Sequence, residues 1–224
     1  MKKYILAAVI FSLIMTFACK EEPKPVPTQD NSPIASKCAK YAVNVYKDKE
    51  RTAWLATLSK AEIVDLLSTE IISDNKGAVA EVAYIRLSDG KEGYLETKHL
   101  AIRTIVFTQD TKAYQRNNTG SKLNPTIAAG TLGFVIDEKA EWLQVYIGQV
   151  DGQWRTQEWI NEGFSTEANL ITDAKLYEEA LVTLRNKDAK DSEKTEAIKK
   201  LQGLKTSTLF SEKAEELLQS FNEL

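Results

Sequence analysis

Between Thr166 and Leu170 the spacing of apolar residues changes period, and that change divides the chain into two kinds of structure. Before it, apolar and polar residues alternate in short runs, as where Ile85 and Leu87 are interleaved with Arg86 and Ser88. Such alternation suits a half-buried β-strand. After it, Leu170, Ala174, Tyr177, Leu181 and Leu184 recur at steps of three and four, one stripe of a helix. Ala197, Ile198, Leu201 and Leu204 form a second stripe, and Phe210, Ala214, Leu217, Leu218 and Phe221 a third. Short helices that are apolar on one face bury little alone, so these three must pack together or dock on the β part.

Within the β part, Tyr84 to Leu100 reads "YIRLSDGKEGYLETKHL". Asp89-Gly90 lies between two alternating runs, a strong hairpin signal because glycine takes positive φ at little cost. This stretch, with "VNVYKDKE" at 43–50 and "LSKAEIVDLL" at 58–67, resembles the bacterial SH3 (SH3b) family. Val43-Asn44-Val45 match that family's opening, Leu58 and Ile63 its middle, and Tyr84 to Leu100 its last third. Ala61 stands where the family carries a turn glycine, and "YKDK" replaces the usual first loop. Ser59 and Glu62 could form a helical capping box, but the β-branched Ile63, Val64, Ile71 and Ile72 favour a strand.

The resemblance recurs further along. "IAAGTLGFVI" at 127–136 matches "LSKAEIVDLL", with Ile127 on Leu58, Gly130 on Ala61 and Leu132 on Ile63. "WLQV" at 142–145 is set against Tyr84 to Leu87. "EWINEGF" at 158–164 is set against "GYLETKH", which places Trp159 on Tyr94 and Phe164 on His99. The second hairpin is the longer one, with "GQVDGQWRT" inserted.

The N-terminus constrains location. Lys2 and Lys3 precede the uncharged run Tyr4 to Phe17, too short for a bilayer, which needs about twenty residues, but suited to a secretory signal peptide. "TFAC" at 16–19 resembles a bacterial lipobox, relaxed as in spirochaetes and some other diderms. That resemblance implies acylation of Cys19 and a lipid-anchored mature chain, since more than one acyl chain gives a stable anchor. Pro23, Pro25, Pro27 and Pro33, four of the five prolines, follow in a stretch suited to an extended stalk reaching roughly 50 Å at about 3.1 Å per residue. The acidic "KEE" at 20–22 resembles sorting signals of some surface lipoproteins.

Removing 18 of 224 residues leaves 206, and losing Lys2 and Lys3 moves the formal charge from −3 to −5. A mildly acidic chain has no electrostatic reason to bind nucleic acid. With Cys19 acylated, Cys38 is the one remaining thiol and His99 the one histidine, so no internal disulfide and no zinc shell can form. A Cys38–His99 nucleophile–base pair is conceivable, because some cell-wall cysteine peptidases carry SH3b modules. Against it, 206 residues leave no room for a separate catalytic domain, and a position matched to Phe164 reads as packing. Cys38 is expected to be buried.

The remaining chemical signal is aromatic. Trp142 and Trp159 fall at core spacing, whereas Trp154, beside Arg155 in the inserted hairpin, lies outside the matched core. Trp, Tyr and Arg are the usual anchors of binding surfaces, so Trp154, Arg155 and Tyr146, with Tyr46 and Trp54 in the first copy, are the candidate ligand-binding residues. The expected organisation is a signal peptide (1–18), a proline-rich tether (19–37), two SH3-like β-barrels in tandem (38–104 and 105–167) and a helical domain of about three helices (168–224). The expected function is that of a non-catalytic lipoprotein, without cofactor or metal, on the outer membrane of a diderm. Its expected ligand is peptidoglycan or an envelope protein, and the alternative is a surface adhesin for host or matrix proteins.

Overall fold

The computed structural model describes residues 32–73, 79–124, 126–150, 153–204 and 208–222. The signal-peptide and lipobox readings, Cys19 and most of the tether lie outside these residues. In chain order the strands are β1 (Ala35–Ala39), β2 (Val43–Tyr46), β3 (Trp54–Leu58), β4 (Ile63–Ser73), β5 (Val79–Arg86), β6 (Glu92–Glu96) and β7 (Leu100–Ala101). They continue with β8 (Arg103–Phe107), β9 (Leu132–Lys139), β10 (Trp142–Tyr146), β11 (Gly148–Val150), β12 (Gln153–Arg155), β13 (Glu158–Ile160) and β14 (Phe164–Ser165). Helices α1 (Ala168–Arg185), α2 (Asp191–Gln202) and α3 (Thr208–Asn222) follow. The fold is mainly β with a helical C-terminal segment, beginning at the change of period.

Two curled sheets carry the β part, in the orders β3-β2-β6-β5-β4-β1-β7 and β13-β10-β9-β8-β14, with β11 and β12 as a separate ribbon. The first sheet begins at Ala35, inside the stretch expected to be tether, and the second at Arg103, two residues ahead of the expected boundary. Ser59 and Glu62 do bond, Ser59 N–H to the Glu62 carboxylate at 2.8 Å, but the bond closes a turn into β4 rather than capping a helix. Ala61 sits at that turn with φ 59°, and Gly130 sits before β9 with φ 81°. The glycine therefore matters for its backbone conformation, which Ala61 adopts at some strain.

The same backbone pattern recurs in both sheets. Ala61 N–H donates to Ala39 C=O and Ala39 N–H to Glu62 C=O; Gly130 N–H donates to Phe107 C=O and Phe107 N–H to Thr131 C=O. Lys40 N–H donates to His99 C=O, and Thr108 N–H to Gly163 C=O. These bonds put Gly163, not Phe164, at the position of His99; Phe164 pairs with Phe107 as Leu100 pairs with Ala39. The cause is a one-residue shortening of the turn after β13. The match of "WLQV" also moves by two residues. Leu66 faces Ile85 in the first sheet and Val135 faces Val145 in the second, so Gln144, not Trp142, stands at Tyr84. Each of these pairings carries a bulge that shifts register.

Alternation along β1 and β8 feeds two cores at once. Ala39 belongs to the interior of the first sheet with Val45, Leu58, Ile85 and Leu95. Ile105 and Phe107 belong to the interior of the second with Ile127, Val135 and Ile160. Cys38 and Val106, on the opposite faces, join Ala61, Ala101, Leu132 and Phe134 against the helical residues Ala174, Leu201, Phe210 and Leu217. The helices thus lie on both sheets, and the fully buried Phe210 contributes on the order of 2–3 kcal/mol by its burial. Lys60 and Glu178 add an ion pair between the β3–β4 turn and α1. Among the described residues, no helix is long and apolar enough to cross a membrane.

Candidate functional site

Four aromatic side chains form a row across the outer face of the first sheet. Trp54 on β3 faces Tyr46 on β2, Tyr46 faces Tyr94 on β6, and Tyr94 faces Tyr84 on β5. Residues directly opposite in antiparallel strands share a face, and the next residues along, Val45, Leu95 and Ile85, point into the interior. At about 4.8 Å between strands the row spans on the order of 14 Å. Tyr84 and Tyr94 are stacked, with centroids 4.7 Å apart and planes inclined by 26°. Trp54, at the free end, is 60% exposed.

Polar neighbours fix these rings. Trp54 Nε1 donates to Thr57 Oγ1 at 3.3 Å, and Thr57 in turn donates to Asn44 Oδ1 at 2.8 Å. The Tyr84 hydroxyl donates to Glu92, whose other carboxylate oxygen accepts from Arg86 Nε at 3.0 Å and Nη2 at 2.8 Å. The bond to Glu92 pushes the Tyr84 hydroxyl up to about 12, so the ring stays neutral; the same bond, with Arg86, holds Glu92 below its ordinary range. Gly93 lies beside Tyr94 because nothing larger fits: a Cβ there would sit 2.7 Å from Leu55 Cδ2, Tyr46 O and Val45 Cγ1.

Beside Tyr46 the row opens into a groove of about 540 Å³ lined by Tyr41, Asn44, Arg51, Glu96 and His99. Arg51 and Glu96 form an ion pair there. His99 Nδ1 and the Tyr41 hydroxyl are hydrogen-bonded at 2.7 Å, with their rings edge to face. Burial lowers the His99 pKa, which favours the neutral imidazole. Cys38 has different surroundings. Cys38 is 2% exposed; its sulfur accepts from Thr104 Oγ1 at 3.2 Å and its S–H donates to Ala101 O at 3.9 Å. Burial raises its pKa. The bonds of Cys38 and His99 therefore lead to separate partners, and a protonated thiol is a poor nucleophile. Among the described residues, no cluster of His, Cys, Asp and Glu could hold a metal ion.

The five residues singled out from the sequence fall in three places. Tyr46 and Trp54 are neighbours in the aromatic row. Trp154 stands 66% exposed on the β11–β12 ribbon. Arg155, expected on a ligand surface, points the opposite way and is 7% exposed. Its Nε and Nη2 hold Glu158 at 2.7 and 2.6 Å, and its Nη1 donates to Thr126 O at 3.1 Å, which anchors the base of the ribbon. Tyr146 is half-buried between Tyr41 and Phe134, with Lys40 Nζ 5.1 Å above its ring. Tyr84 and Tyr94 are not among the residues that spacing alone singles out. Each directly precedes an interior residue, Ile85 or Leu95, and so falls on the opposite, outward face.

Comparison with solved structures finds faint likenesses. One, "Endolysin LysPBC5 CBD", is 14% identical with a TM-score of 0.23, over 60% of this chain and 96% of that one. Another, "Structure of NlpC2 from Trichomonas vaginalis", is 11% identical with a TM-score of 0.24, over 66% of this chain and 54% of that one. At these scores neither bears on fold or function. No curated protein matches the chain. A family model described as Lipoprotein LenA matches residues 6–222, nearly the whole length, so the chain belongs to the LenA lipoprotein family.

Proposed function

We propose that this protein is a non-catalytic, lipid-anchored envelope protein that binds peptidoglycan through the outer face of the first of two SH3-like modules. The observation that carries the reading is the row Trp54–Tyr46–Tyr94–Tyr84, in register across four strands and open to solvent at Trp54. Flat rings with polar tips suit a polymer of sugars, whose C–H faces stack on the ring and whose hydroxyls meet the rim. The polar groups for that rim are at hand in Asn44, Thr57 and Glu92. Membership of a lipoprotein family supports membrane attachment, for which Cys19 is the acylation site, with the proline-rich stretch as the tether. The outer membrane is the membrane we assign, with the modules held at the wall. Cys38 and His99 play structural parts in this reading.

Co-sedimentation with purified peptidoglycan tests the proposal. The protein is expected in the pellet, and a protein that stays in the supernatant contradicts wall binding. Protease treatment of intact cells then separates a periplasmic from a surface location. A protected protein fits wall binding from the periplasmic face, while complete digestion favours the adhesin alternative.

A further inference from the structure

A second groove, of about 400 Å³, runs along the junction of the two sheets where β1, β7 and the start of β8 meet. Its walls carry Lys37, Lys40 and Lys98, and its apolar lining includes Leu66, Ile102 and Ile136. One carboxylate, Glu81, also lines it and accepts a hydrogen bond from Thr97 Oγ1 at 2.8 Å. Lys98 is paired with Glu96. Among the described residues, neither Lys37 nor Lys40 has a carboxylate within ion-pair distance. Lys40 is half-buried, its Nζ 5.1 Å from the centre of the Tyr146 ring, and burial lowers its pKa. The walls of this groove thus carry three lysines against one carboxylate, Glu81, an excess of positive charge in an otherwise acidic chain that favours an anion.

We propose that this groove is an anion site for a phosphate ester, with Lys37 and Lys40 as the charged contacts and Lys98 completing the set. Phosphate fits because a monoester carries about −1.5 to −2 charges and three acceptor oxygens, and lysine binds it as a point charge. The apolar lining takes the carbon skeleton of the ester. Two sources share this chemistry, the headgroup of a membrane lipid and a soluble phosphate ester. The site is separate from the aromatic row, and neither depends on the other.

Titration of the full chain with glycerol 3-phosphate, followed by NMR of the lysine side chains, tests the site. The Lys37 and Lys40 signals are expected to move, and Lys40→Met or Lys37→Met to weaken binding at least fivefold. Lys175→Met, on α1, should leave it unchanged. Stationary signals, or equal weakening by Lys40→Met and Lys175→Met, overturn the proposal. If Lys40→Met does not fold, Lys37→Met decides alone. Vesicles of phosphatidylglycerol and phosphatidylcholine then identify the source, because the apolar N-terminal segment is common to parent and variant. Greater retention of the parent than of Lys40→Met on phosphatidylglycerol assigns a lipid headgroup; equal retention, with ester binding lost in the variant, assigns a soluble ester.

Discussion

In the first sheet Trp54, Tyr46, Tyr94 and Tyr84 face outward across four strands; the equivalently bonded positions of the second sheet hold Lys122, Tyr114, Trp159 and Gln144. The central pair stays aromatic in both, but the ends of the second row are polar. There Trp142, two residues before Gln144, closes edge-on against Tyr114 with centroids 5.1 Å apart, and Lys139 Nζ lies 5.2 Å above the Trp159 ring. Tyr114, Trp142 and Trp159 consequently form a small core of their own, 6–7% exposed. The same backbone thus carries an open aromatic face once and a closed one once. A tryptophan in such a fold is informative only when its neighbours across the strands are known.

This contrast predicts opposite phenotypes for similar substitutions. The largest effect is expected for Trp159→Ala, which empties the closed cluster and should cost about 3–5 kcal/mol. At roughly 2–4 °C per kcal/mol for a chain of this size, melting should fall by on the order of 10 °C in calorimetry. Gly93→Ala comes next. It forces a methyl group against Leu55, Val45 and the Tyr46 carbonyl, an overpacking that should cost about 1–3 kcal/mol in chemical denaturation. The second sheet tolerates Glu158 at the matching position, so replacing Glu158 by alanine introduces no such clash. Trp54→Ala should leave stability nearly unchanged yet weaken ligand binding roughly tenfold, the equivalent of about 1.4 kcal/mol. The smallest effect is expected for Trp154→Ala, a change on an exposed ribbon that should stay within about 0.5 kcal/mol of the parent.

Much of this architecture is legible in the sequence. The change of period locates α1, the Asp89-Gly90 turn locates β5 and β6, and the likeness of Leu58 to Ile127 and of Ala61 to Gly130 matches the backbone bonds. Residue-level matching departs from the pairing where bulges and a shortened turn move the register, because a bulge sets two residues of one strand opposite one of its partner. Sequence matching therefore sets Phe164 on His99 and Trp142 on Tyr84, where the pairing has Gly163 and Gln144. The aromatic row needs the strand pairing as well: alternation puts Tyr84 and Tyr94 on the face opposite Ile85 and Leu95, but only the register sets them beside Tyr46 and Trp54. Arg155 was read from its neighbour Trp154, yet adjacent residues on a strand face opposite ways. Its bonds to Glu158 and Thr126 needed three dimensions to be seen.

The decisive measurement is the affinity of purified peptidoglycan for the parent, Trp54→Ala and Trp154→Ala, determined side by side on proteins of matched stability. Binding that falls about tenfold in Trp54→Ala and holds in Trp154→Ala places the ligand on the open face of the first sheet. Binding that survives Trp54→Ala, or falls with Trp154→Ala alone, contradicts that placement and moves the site to the inserted hairpin.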